Sequence, residues 1–301
     1  VFQTDFPQIE AAKPQDGLRH FKGIGWVGVQ HAMDDPDNHI QFVFKSSRFG
    51  SVSHSHGDQN SFCMAAYGED MAIQSGYYVA FNSSMHRNWR RQTRSKNAIL
   101  INGKGQYAEK DKAKALAATG QIIAAEQRED HIYICGDATA AYQSLSPEVT
   151  CAEREIYFVR GSYFVIVDKV DADKPVTIDW LLHANNKFEL GKSSFRNTQE
   201  HSGFYGQVVW SEAGKPEISQ KTEFTDFANV AEMEKFYQKN YVPFDPCYVG
   251  DIASIQLFLA LNWNFANSGF VCTAPIVSTN WSTFTPFLMF AVVIIVLKFI
   301  C

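Results

Sequence analysis

The residues best suited to chemistry in this chain are His54, His56 and Asp58, in the run Ser53-His54-Ser55-His56-Gly57-Asp58-Gln59-Asn60. Imidazole gains and loses its proton near neutral pH, so a histidine can donate a proton to a reacting group or accept one from it. In an extended segment side chains alternate with period 2, so His-x-His-x-Asp predicts both imidazoles and the carboxylate on one face. Such a trio can hold a metal or position a substrate anion. The plainer alternative is that histidines near a strand start only hydrogen-bond within the surface or core. For an isolated His-x-His that alternative carries the greater weight, so context must decide.

A second candidate is the stretch His86-Arg87-Asn88-Trp89-Arg90-Arg91-Gln92-Thr93-Arg94-Ser95-Lys96, a basic cluster in a chain of net charge −5. Arginine forks bind carboxylate or sulfate bidentately, and Trp89 could stack on a sugar face, so an acidic glycan suits both features. The competing reading is a solvated loop paired with Asp and Glu. His183 ends the apolar run Asp179-Trp180-Leu181-Leu182-His183 and reads as a core or edge histidine. Asn60, Tyr78, Arg91, Gln92 and Arg94 are the candidate substrate contacts, although Tyr77 and Tyr78 also suit a structural strand-to-loop turn.

The elements that must position these residues read as strands. Ile40, Phe42 and Phe44 point one way while Gln41, Val43 and Lys45 point the other, as a strand packed on one face requires. Arg154 to Val159 and Tyr163 to Val170 form a predicted hairpin around Arg160-Gly161-Ser162, and Val176 to His183 continues the meander. Asn102-Gly103 is a turn signal, and only Ala108 to Ala118 looks helical. Aromatics make up 14% of 301 residues, with 24 Phe and 12 Tyr, which suits half-buried strands. The predicted fold is all-β, a large antiparallel β-sandwich over residues 1–250.

The acidic balance excludes a general nucleic-acid binder, which needs a basic face to neutralise phosphates. Six widely spaced cysteines contain no Cys-x-x-Cys pair and leave the redox compartment open. The chain opens on Val1 with no methionine, charged n-region or apolar h-region, and a longer native N-terminus is expected. Residues 251–283 read as a connecting segment of uncertain character. The apolar run 284–301 reads as a candidate C-terminal transmembrane helix, since 18 helical residues span ~27 Å against a hydrocarbon core of roughly 30 Å. A buried terminal element is the alternative.

From Gly50 to Gln106 several blocks occur together: His54-Ser55-His56-Gly57-Asp58-Gln59-Asn60-Ser61-Phe62, Gly68-Glu69, Ala72-Ile73-Gln74-Ser75-Gly76-Tyr77-Tyr78, Trp89 to Leu100, and Asn102-Gly103-Lys104-Gly105-Gln106. In this order they resemble the C-terminal β domain of heparinase II/III-like polysaccharide lyases, closest to the oligo-alginate lyase branch. Gly23-Ile24-Gly25-Trp26-Val27 and Tyr163-Phe164-Val165-Ile166-Val167-Asp168 extend the resemblance to about Gly23 to Phe188.

The resemblance implies β-elimination on a uronic-acid glycan, with His54 as the catalytic histidine and a tyrosine of an N-terminal helical toroid as acid/base. It implies an acidic polysaccharide partner, a cell-envelope, periplasmic or extracellular location, and membrane anchoring if 284–301 spans a bilayer. It also makes His56 a metal ligand, with zinc or another divalent ion. Gln74 stands where the family has a second ligand, an aspartate, and Lys96 where it has a third, a histidine. An ammonium repels a divalent cation, so no cofactor is expected with certainty. His54-x-His56-x-Asp58 also echoes metallo-β-lactamase-like hydrolases, but Gln59 replaces their last histidine and strands follow strands here. A non-catalytic carbohydrate-binding or structural β domain is the remaining alternative.

Overall fold

The computed structural model describes residues 13–75, 81–83, 86–159, 161–211, 217–221, 255–262 and 291–300. Five strands follow one another into the first sheet: β1 (Gly17–Phe21), β2 (Trp26–His31), β3 (Ile40–Lys45), β4 (Ser61–Ala66) and β5 (Glu69–Ala72). β3 alternates as expected, with Ile40, Phe42 and Phe44 buried. A short β6 (Ile99–Ile101) leads through the Asn102-Gly103 turn, where both residues have positive φ, 53° and 69°. That pair of left-handed conformations makes the tight turn, and Lys104 bridges back to Ile101.

Helix α1 is shorter than the predicted Ala108 to Ala118 and runs over Lys112–Ala117. The Asp111 side chain caps it by accepting from the backbone nitrogens of Ala113 and Lys114, and this fixes its start. Strands β7 (Gln121–Gln127) and β8 (His131–Asp137) precede helix α2 (Thr139–Gln143). Then come β9 (Val149–Val159) and β10 (Tyr163–Ala172), the predicted hairpin, with Tyr163 opposite Val159 and Gly161 at φ 65°. The chain continues through β11 (Thr177–Ala184), β12 (Phe188–Leu190), β13 (Ser194–Thr198), β14 (Gly203–Ser211), β15 (Glu217–Lys221), β16 (Ile255–Asn262) and β17 (Ala291–Ile300).

The second sheet has the order β12-β13-β14-β17-β10-β9-β8-β7 and the third the order β15-β16-β11-β6. All the pairings among the described strands are antiparallel, as the sandwich reading expects. One apolar cluster joins the three sheets. Phe42 of β3 stacks on Phe164 of β10 at 4.7 Å and on Phe62 at 5.6 Å, and Phe62 tilts against Trp180 of β11 at 6.4 Å. Such aromatic contacts add specificity to the area they bury.

The C-terminal run corrects the sequence reading. Ala291–Ile300 is not a membrane helix but a strand, β17, paired on one side with β10 and on the other with β14. Ile295, Leu297 and Phe299 are buried while Lys298 is exposed, a period-2 pattern. A short apolar run cannot be assigned to helix or strand by hydrophobicity alone, and the β-branched Val292, Val293, Ile294, Ile295 and Val296 favour a strand. Residues 284–290 lie outside the described residues. No helix among the described residues is long and apolar enough to cross a membrane.

Candidate functional site

The His54 segment connects β3 to β4 and is a loop, not the extended segment that the His-x-His-x-Asp spacing assumed. Ser53 and Asn60 both have φ of 56°, so turns at each end cancel the period-2 alternation. The three side chains therefore part company. His54 is exposed at the tip, His56 is half-buried beneath it, and Asp58 is buried in an ion pair with Lys45.

The loop's base is fixed by hydrogen bonds of named donors and acceptors. The Gln59 backbone N–H donates to Gln106 Oε1 and Gln106 Nε2 returns a bond to the Gln59 carbonyl, each at 2.8 Å. The Gly57 N–H donates to the Arg91 carbonyl at 2.8 Å, and Thr93 Oγ1 donates to the Gly57 carbonyl at 2.8 Å. Gly57 suits this crossing because a Cβ there would come within 3.1 Å of Thr93 Oγ1. The Arg91 guanidinium donates to the carbonyls of Ser51 and Ser55. The basic stretch is therefore partly a clamp on the histidine loop.

Below the loop lies a buried ion pair that the sequence reading did not single out. Arg154 of β9 is 1% exposed and grips Asp168 of β10 with two bonds, Nε to Oδ1 at 2.7 Å and NH2 to Oδ2 at 2.9 Å. Its NH1 donates to the carbonyls of Asn60 and Asn97 at 2.7 and 2.8 Å, tying the end of the histidine loop to the segment that leads into β6 of the third sheet. A signal was present. Arg154 shares the inward face of β9 with Ala152, Ile156 and Phe158, and a hairpin centred on Gly161 sets it opposite Asp168. Opposite charges facing each other on an apolar face mark a pair built into the core.

Around the loop tip His54 and His86 flank Phe81, and His56 lies against His86. The His54 and Phe81 ring centroids are 4.5 Å apart, Phe81 and His86 5.0 Å, and His56 and His86 6.1 Å. His86 opens a π-helical turn, His86–Arg90, and its Nδ1 accepts the Asn82 N–H at 3.2 Å. A neutral His86 thus carries its ring proton on Nε2. Burial, then the charge of Arg91, pushes His86 down to about 4. Burial, followed by Lys96 and Arg90, pushes His56 down to about 2, so it is a neutral imidazole. Turns of this π-helical kind are frequent at functional sites. The sequence reading took His86 only as part of the basic cluster and gave it no separate role.

The other candidates fall in different places. Asn60 is buried, and its Nδ2 donates to the carbonyls of Gly136 and Ala152 at 2.9 and 3.3 Å, so this amide nitrogen is engaged inside the fold. Gln92 Nε2 donates to the Arg87 carbonyl at 2.7 Å, and the Arg94 guanidinium lies over the Trp89 ring, 6.0 Å from its centroid. Trp89 is itself buried with its Nε1 on Ser75 Oγ at 2.9 Å, so it does not offer a free sugar platform. Tyr77 and Tyr78 lie outside the described residues. His183 is a core histidine, as expected, with Nε2 3.1 Å from the Arg94 carbonyl, and burial pushes it down to about 3.

The residues at the implied metal position do not fit a metal. Lys96 is fully buried, and its Nζ donates to Gln74 Oε1 at 2.9 Å and to the Arg90 carbonyl at 2.7 Å. The amide oxygen that could ligate an ion is thus already taken by a lysine. Burial, then Arg90, pushes the Lys96 amine down to about 7. Among the described residues no group of three His, Cys, Asp or Glu side chains could hold a metal ion.

Comparison with known proteins agrees with this architecture. The family model described as heparinase II/III-like, C-terminal, matches residues 13–235. A heparin-sulfate lyase of Bacteroides stercoris is 27% identical over 157 residues, which make up 51% of this chain and 20% of that protein. A solved heparinase III superposes with a TM-score of 0.65 at 14% identity, covering 97% of this chain and 37% of its own. The heparan sulfate lyase of Pedobacter heparinus gives 0.64 at 12%, covering 95% of this chain and 37% of that one. At such identities the structural likeness speaks for the fold alone. This chain spans a fifth of the curated relative and 37% of each solved one.

Proposed function

This chain belongs to the heparinase II/III-like C-terminal family, and on that premise we propose that it is the β domain of a polysaccharide lyase acting by β-elimination on a uronic-acid-containing glycan. His54 stabilises the reacting carboxylate. When a base removes the C5 proton, negative charge gathers on that carboxylate as the bond from C4 to the leaving oxygen breaks. A donor fixed beside the carboxylate is worth most where it need not reorganise during the reaction. The base is a tyrosine of the N-terminal helical toroid that the family resemblance implies.

The observation that carries this reading is the exposed His54 ring on a loop braced by Gln106, Arg91 and Thr93, with the Arg91 guanidinium on the Ser51 and Ser55 carbonyls to either side of it. Asp58, the carboxylate of the motif, is taken by Lys45 and does not oppose an incoming anion. The substrate class is acidic polysaccharide. The relatives named above are a heparin-sulfate lyase, a heparinase III and a heparan sulfate lyase, so the oligo-alginate branch read from the sequence gains no support from them. A sulfated glycosaminoglycan therefore comes before alginate, and a cell-envelope, periplasmic or extracellular location suits such a substrate.

The test uses the full-length protein with heparan sulfate, alginate, and the same glycans after their carboxyl groups have been reduced to alcohols. Ultraviolet absorbance of the unsaturated uronate product should rise with a native glycan and stay flat with its reduced form. Binding of native glycan with no product from any of them would favour the non-catalytic carbohydrate-binding reading.

A further inference from the structure

Lys96 stands where the histidine loop, the end of β5, β4 and β11 meet, and nothing in the proposed chemistry needs it. It is 0% exposed. Its Nζ spans two oxygens from different segments, Gln74 Oε1 and the Arg90 carbonyl, at 2.9 and 2.7 Å. Its charge is felt at His56 in the loop, Cys63 on β4 and His183 on β11. Burying an amine is costly unless its protons are used, and here two are used on oxygens. Arg90 passes the link onward, since its NH1 donates to the Ser75 carbonyl at 2.8 Å.

We infer that Lys96 Nζ is a built-in replacement for a bound divalent metal, bridging by N–H donation the two oxygens, Gln74 Oε1 and the Arg90 carbonyl, that an ion would otherwise draw together. The replacement is a pair with Gln74. A carboxylate at 74 would ligate a cation, whereas the neutral amide oxygen accepts one N–H bond. Protonated or neutral, the lysine has at least two N–H bonds for its two acceptors. The Arg90-Arg91 segment, which clamps the histidine loop through Ser51, Ser55 and Gly57, is therefore held without any ion at His56. The inference rests on family membership and not on the lyase reading, and none of its tests measures turnover, so either can fail alone.

The experiment compares the full-length protein with His56→Ala, Lys96→Met and the double variant Gln74→Asp/Lys96→His. Each is equilibrated with zinc chloride, desalted, assayed for zinc by plasma emission, and melted with and without EDTA. Wild type and His56→Ala should carry the same zinc, and the wild-type melting temperature of the β domain should not respond to EDTA. Lys96→Met leaves Gln74 Oε1 and the Arg90 carbonyl without their donor, so it should melt several degrees lower. Added zinc should not restore it, and amide exchange should rise at residues 54–57 and 87–96. The double variant should take up about one more zinc than wild type and melt lower after EDTA. Zinc held by wild type and lost in His56→Ala would overturn the inference. So would a Lys96→Met protein that melts and exchanges like wild type, or a folded double variant that takes no extra zinc. Should the double variant not fold, the wild-type, His56→Ala and Lys96→Met results decide.

Discussion

Replacing Arg154 by methionine removes the guanidinium that joins two strands and two loops while keeping most of its apolar length. Four bonds are lost: two to the Asp168 carboxylate and one each to the carbonyls of Asn60 and Asn97, all between 2.7 and 2.9 Å. Arg154 is 1% and Asp168 3% exposed, so the stranded carboxylate cannot turn to water. Removing one partner of a buried pair costs about 3 to 5 kcal/mol, more than the pair contributes relative to an apolar replacement. Lowering the β-domain melting temperature by roughly 10 °C follows from that cost at this size. Urea unfolding of Arg154→Met, followed by tryptophan fluorescence, should give the loss as a lower midpoint at unchanged slope. In Arg154→Met/Asp168→Leu much of the stability should return, because no unpaired charge remains. A single variant within about 1 kcal/mol of wild type would refute the reasoning. So would a double variant as unstable as the single, since the two carbonyls and not the charge would then set the cost.

Leu297→Ala should cost about 2 to 5 kcal/mol in urea unfolding and Lys298→Ala less than about 0.5, because the first side chain is buried in the middle of a sheet and the second is exposed; equal effects would contradict the strand assignment. Gly50→Ala should destabilise more than Gly103→Ala, since a Cβ at Gly50 meets the Ala115 carbonyl oxygen at 1.9 Å, while at Gly103 only the positive φ is strained, at about 1 kcal/mol. The reverse order in thermal melts would show that α1 yields freely. His183 is held near 3 in the folded state against an ordinary 6.5. The unfolded chain therefore binds the proton first as pH falls, and stability present above about 6.5 is lost on the way down. Between pH 7 and 5 that residue should remove about 2 kcal/mol, and His183→Gln should flatten the decline by a similar amount. An unchanged pH dependence would show that His183 is protonated in the folded protein.

Much of this fold is legible in the sequence where one local rule decides. Ile40-Gln41-Phe42-Val43-Phe44 alternates and becomes β3, and Asn102-Gly103 supplies the two left-handed residues its turn needs. The hairpin around Gly161 falls where its flanking β-branched and aromatic runs put it. Legibility ends where a residue's partner is distant in the chain. Residues 291–300 are apolar enough for helix or strand, and only the gap between β10 and β14 decides the matter. The His54 loop misled the period-2 argument because its turns are held from outside, by Arg91 on either side of Ser53 and by Arg154 and Gln106 at Asn60 and Gln59. Asn60 looked like a substrate donor by position in its motif, yet its amide nitrogen serves Gly136 and Ala152, 76 and 92 residues away. The mismatch of Gln74 and Lys96 with a metal was readable from side-chain chemistry, but the bond joining them was not.

The most direct test of the functional reading is the kinetics of His54→Ala in the full-length protein on the uronate glycan that the wild type cleaves best. Losing a preorganised donor to a developing negative charge costs on the order of 100- to 1000-fold in kcat. Because His54 is exposed and lies outside the apolar cluster, its removal should leave the melting temperature within about a degree of wild type. A kcat within about threefold of wild type, from a protein that melts normally, would contradict the assignment of His54 to the reacting carboxylate.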